Sequence, residues 1–63
     1  MKAKNAVVGT RVQVKEGVTS SFYESGQTGV IEVVCSDLDV LVRFDISNDQ
    51  WYVPLSGLRR IKE

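Results

Sequence analysis

The side chains best suited to chemistry in this chain are its rings. Phe22 and Tyr23 are adjacent, Trp51 and Tyr52 are adjacent, and Phe44 is the only other aromatic residue. Exposed rings of this kind bind extended peptides, proline-rich helices or modified side chains by stacking and apolar contact. Glu16 and Glu24 flank the first ring pair, as in a groove that selects a basic peptide. Neighbouring residues of a strand point to opposite faces, so Trp51 and Tyr52 share one groove only where a bulge re-aims one of them. The alternative is that one ring plugs the core while the other caps an end.

Cations form a second candidate site. Lys2, Lys4, Arg11 and Lys15 lie near one end of the sequence, and Arg59, Arg60 and Lys62 near the other. Between them run Glu16, Glu24, Glu32, Asp37, Asp39, Asp45 and Asp49, opposed by Arg43. If the first and last strands are neighbours, the two basic ends meet. Lys2, Lys4, Arg11, Arg59, Arg60 and Lys62 then make a surface for phosphates, which need only clustered cations. Against this stands the overall balance of 8 basic and 8 acidic residues, since a non-specific nucleic-acid binder carries net positive charge. Solvated surface charge that keeps a small domain soluble accounts for the same pattern.

The remaining reactive groups make no catalytic set. The chain has no histidine and a single cysteine, which excludes histidine-dependent acid–base and nucleophilic chemistry, zinc sites of several Cys or His ligands, and an internal disulfide. Asp37 and Asp39 beside Ser36 fall short of a calcium loop and read as a solvated turn. Cys35 ends an apolar run and is expected to be a buried or half-buried inert thiol. Lys15 and Tyr52 have no neighbours that would tune them for proton transfer. No catalytic residue, metal or cofactor is expected.

These residues must be positioned by a very small scaffold. Sixty-three residues make one domain, residues 1–63, and chains of this size bury only about 60% of their unfolded surface. Self-association is one remedy for so thin a core, so a homo-oligomer is an expected partner state. The sequence contains no apolar run of signal-peptide or membrane-helix length, so a membrane is not an expected partner and the cytoplasm is the expected compartment.

The periodicity is that of strands. Thr10 to Lys15 alternates, with Val12 and Val14 on one face. Residues 16 to 27 are rich in Gly and Ser and read as one long loop. Thr28 to Cys35 is β-branched and apolar on both faces, the mark of a central or bulged strand. After a turn at 36–39, Val40, Val42 and Phe44 alternate inward. A polar turn at 45–49 leads to a fourth strand, Gln50 to Val53, which Pro54 ends. Leu55 to Gly57 makes a tight turn, one turn of 3₁₀ helix, before a closing strand from Leu58 to Ile61. The expected core is Val12, Val14, Ile31, Val33 or Val34, Val40, Val42, Phe44, Val53, Leu58 and Ile61. Gly26 and Gly29 let the second strand bend and approach a neighbour closely.

Val8 to Val14, Gly26 to Ile31, Val40 to Phe44 and Val53 to Leu58 together resemble the SH3-like small β-barrels. The run is similar to that of the small peripheral subunit of photosystem I, and Gly26-Gln27-Thr28-Gly29-Val30-Ile31 is similar to an element of KOW-type domains. This resemblance implies an all-β, five-stranded barrel in which the long first loop and the fourth strand border one surface groove. Such barrels host unrelated functions, so it implies architecture rather than activity. Gln50, Tyr52, Pro54, Leu58, Arg60 and Ile61 also resemble the pore strand and closing segment of the plasmid-borne type II dihydrofolate reductases. Asp49 and Trp51 depart from that pattern, and the lysine of that family's pore falls at Val14, beside Lys15.

The leading expectation is therefore a non-catalytic module that binds a protein or peptide through Phe22, Tyr23, Glu24 and Trp51 or Tyr52. A nucleic-acid-binding barrel using the basic terminal strands is the alternative, and a reductase of the type II kind the remote one.

Overall fold

Short β-branched and aromatic runs, broken by turns rich in Gly, Ser, Asp and Asn, favour pleated strands over helix. A computed structural model of the chain describes residues 1, 3–18, 20–36 and 38–61. It contains the five expected strands: β1 (Arg11–Val14), β2 (Thr28–Val34), β3 (Asp39–Phe44), β4 (Gln50–Pro54) and β5 (Leu58–Arg60). A 3₁₀ turn, Leu55–Gly57, links the last two, and a second one, Ala3–Asn5, precedes β1. All strand pairs are antiparallel, in the order β4-β3-β2-β1-β5. β4 and β5 are thus the two edges of one sheet, and among the described residues no ladder joins them into a closed barrel.

One face of the sheet is apolar and buried. Val12, Val14, Ile31, Val40, Val42, Phe44, Val53 and Leu58 are almost wholly withdrawn from solvent, and Leu55 and Ala6 complete the cluster. Each valine or leucine buried in this way contributes about 1.5–3 kcal/mol, the main term holding so small a sheet together. Met1, Val18, Tyr23 and Trp51 pack against this core as partly buried neighbours.

Two core expectations are corrected, the one placed on Val33 or Val34 and the one placed on Ile61. Val33 and Val34 are 47% and 42% exposed, and Ile61 is only half-buried. For Val33 the cause is a register shift between Ile31 and Val33: Ile31 pairs with Val42, and Val33 with the very next residue of β3, Leu41, while Val34 pairs with buried Val40 and is exposed at the end of its strand. Glu32 is the extra residue of a bulge, and a bulge moves the following side chains out of phase. Val33 consequently joins Leu41 on the outer face instead of following Ile31 inward. Cys35, expected to be at least half-buried, is exposed just beyond β2.

Gly29 is needed where β2 crosses β3. A Cβ there would lie 2.5 Å from the Arg43 carbonyl oxygen and 2.7 Å from Val42 Cγ1, closer than carbon atoms pack. Pro54 is tolerated at the end of β4 because its missing N–H falls on the unpaired side of an edge strand.

Candidate functional site

The long loop is held by its own polar side chains. Ser20 Oγ accepts hydrogen bonds from the Phe22 and Tyr23 amides (3.0 and 3.3 Å), and the Ser20 amide donates to the Tyr23 carbonyl (3.0 Å). The Glu24 amide donates to Gln27 Oε1 (2.9 Å). Gly26, at φ +88°, donates to the Val14 carbonyl (2.9 Å) and returns the chain to β1. These bonds turn the two rings apart. Tyr23 stacks on the buried ring of Phe44, with centroids 5.6 Å apart and planes at 15°. Phe22 stacks on Trp51, with centroids 4.2 Å apart and planes at 18°.

Strand alternation decides the rest. Trp51 shares a face of β4 with buried Val53 and is half-buried, whereas Phe22, lying over it, is 60% exposed. Tyr52 points to the other face and is 68% exposed, paired with Leu41, which is itself paired with Val33. Of the five residues expected to share a groove, Phe22 and Trp51 therefore meet directly. Tyr23 lies beneath the loop against Phe44, Glu24 is exposed beside it, and Tyr52 belongs to an apolar row on the outer face.

Charge differs between the acids near the rings and the cations elsewhere. Glu24 and Asp49, each two residues along the chain from a stacked ring, are exposed and have no cationic partner among the described residues. Arg43 Nε instead pairs with Glu32 Oε1 at 3.0 Å, and Gln50 Nε2 donates to the same oxygen. The Gln50 and Arg43 hydrogen bonds hold the Glu32 carboxyl below its ordinary pKa. Arg11 Nη2 meets Asp45 Oδ2 at 2.8 Å, and Thr28 Oγ1 donates to that oxygen at 2.7 Å.

The basic termini do approach one another, since β1 pairs with β5 and Gln13 faces Arg59. Arg59 Nε donates to Gln13 Oε1 at 2.9 Å. Arg60, one residue on, points by alternation to the opposite face and is exposed. Lys4 is exposed in the Ala3–Asn5 3₁₀ turn, while Lys2 and Lys62 lie outside the described residues. Lys15 and Arg59, with Gln13, Glu16, Ser25 and Gly26, line an open cleft of about 460 Å³ that contains no aromatic residue. Sequence reasoning missed this cleft, because it is made by folding the loop back over β1 rather than by any local pattern.

Asp37 also lies outside the described residues. Its neighbours form a capped turn, in which Ser36 Oγ accepts from the Leu38 and Asp39 amides (3.1 and 3.2 Å). Among the described residues no three acidic or thiol groups converge as metal ligands. Comparison of the chain with protein-family models, curated proteins and solved structures finds no match.

Proposed function

We propose that this protein is a small non-catalytic binding module of SH3-like barrel type that recognises a basic peptide segment of another protein through the Phe22–Trp51 surface. The observation that carries this reading is the stacked ring pair itself, one ring from the loop and one from β4, with Phe22 largely in solvent. A fixed ring pair with its outer ring in solvent offers apolar area at low cost in side-chain entropy and a π face for a cation. Glu24 and Asp49, each two residues along the chain from one of these rings and without a cationic partner among the described residues, add negative charge to the segments that carry the pair, which favours a lysine- or arginine-bearing ligand.

Nucleic acid remains the second reading, favoured by Lys15 and Arg59 lining one cleft. It is the weaker one, because Arg11 is engaged with Asp45 and Arg60 faces the other way.

Trp51 is the sole tryptophan, so its emission reports on the proposed site alone. Titration with a basic peptide should change that emission saturably and reversibly, while a single-stranded oligonucleotide should not. An oligonucleotide that binds tightly while the peptide has no effect would transfer the function to the cationic cleft.

A further inference from the structure

The two edges of the sheet are not equivalent. At the β5 edge, the Leu58 carbonyl accepts a hydrogen bond from the Met1 amine (3.0 Å), and the Leu58 amide closes the 3₁₀ turn onto Leu55. At the β4 edge, the orientation of each backbone group follows from two bonds. The Phe44 amide donates to the Asp49 carbonyl (2.9 Å) and the Leu55 amide to the Leu38 carbonyl (2.8 Å). In an antiparallel ladder, hydrogen-bonded and non-bonded pairs alternate. The pairs Val42–Trp51 and Val40–Val53 are therefore bonded, whereas Arg43–Gln50, Leu41–Tyr52 and Asp39–Pro54 are not. Gln50 and Tyr52 consequently point their N–H and C=O groups away from β3, and no described residue bonds to them.

We infer that the ligand binds as a sixth strand: an extended lysine- or arginine-bearing peptide pairs antiparallel or parallel with the open edge of β4 through the backbone of Gln50 and Tyr52. This rests on the peptide-binding reading above and specifies how the peptide is held. An unpaired edge is a template for strand addition, with main-chain bonds giving affinity and alternate side chains giving selectivity. Side chains of the added strand alternate between the Phe22–Trp51 face and the Tyr52 face. Glu24 and Asp49, exposed and within two residues of the rings along the chain, supply the negative charge that selects cationic side chains. Pro54 limits the pairing length, since it offers the edge a carbonyl but no N–H.

The test uses a short blocked peptide alternating lysine and valine, two versions of it N-methylated at opposite alternate residues, and a proline-rich peptide of equal charge. Trp51 emission gives affinity, and amide hydrogen exchange gives protection at Gln50 and Tyr52. One N-methylated peptide should bind roughly tenfold or more weakly while the other binds nearly as the parent does. The proline-rich peptide should be weakened likewise, and both edge amides should become protected only when the parent peptide is bound. Equal binding of all four peptides, or a bound peptide that leaves both amides unprotected, would overturn strand addition while leaving the ring surface as the site. A peptide set that never changes Trp51 emission would remove both readings. Protection of Gln50 and Tyr52 in a peptide-free dimer would assign the edge to a second copy of the chain and overturn the proposal.

Discussion

The ring of Phe22 lies nearly parallel to the indole of Trp51, centroid to centroid 4.2 Å, although one belongs to a loop and the other to an edge strand. Tyr23, next in sequence to Phe22, stacks on Phe44 in the core. Adjacent rings of the same loop thus serve different ends, and substitution should separate them. Phe22→Ala should cost only about 1 kcal/mol of stability, the order of an exposed ring pair, yet abolish the response of Trp51 to basic peptide. Tyr23→Ala should cost about 2 kcal/mol or more, because it uncovers Phe44. Chemical denaturation and peptide titration of both variants check the pair.

The bulge at Glu32 makes an equally direct prediction. Ile31→Ala removes a fully buried side chain and should cost roughly 3 kcal/mol. Val33→Ala, two residues along the same strand, should change stability by no more than about 0.5 kcal/mol. Equal losses at both positions would mean that β2 alternates without interruption.

That contrast marks how far the sequence could be read. The strands and the turn before β5 follow from period-2 patterning and from Pro54, which local physics controls. The phase of Val33 depends on one inserted residue opposite Leu41, and a run apolar on both faces carries no mark of where the insertion falls. Burial of Leu55 was equally hidden, because it arises from the way the 3₁₀ turn packs on the sheet. At the site, the residue types around Phe22 and Trp51 were legible, whereas the division of labour between Phe22 and Tyr23 is set by the Ser20 turn and by distant Phe44.

Gly29→Ala should be the most damaging small substitution in β2. Its new methyl group would meet the Arg43 backbone and Val42 at non-bonded distances too short to hold, so a loss of about 3 kcal/mol is expected from strain in a packed region. A marginally stable domain of this size should then be substantially unfolded at room temperature, readable by circular dichroism.

Glu32 links stability to acid. Its carboxyl titrates below the ordinary glutamate value because Gln50 and Arg43 bond to the charged form. The stabilisation is therefore complete above the unfolded-state value near pH ~4.3 and is lost as pH falls through the lower folded-state value. Glu32→Gln should show a shallower fall in stability across that acidic window than the parent protein, with the two curves running parallel above about pH 6. Identical acid slopes would mean that the Glu32 network has no energetic consequence.

Amide chemical-shift mapping during titration with a basic peptide locates the binding surface residue by residue. The amides of residues 20–24 and 49–53 should move together and saturate at one affinity, while those of Arg59 and Arg60 stay in place. Movement confined to Arg59, Arg60 and the cleft beside β1, with the ring-bearing segments unchanged, would contradict the proposed Phe22–Trp51 surface.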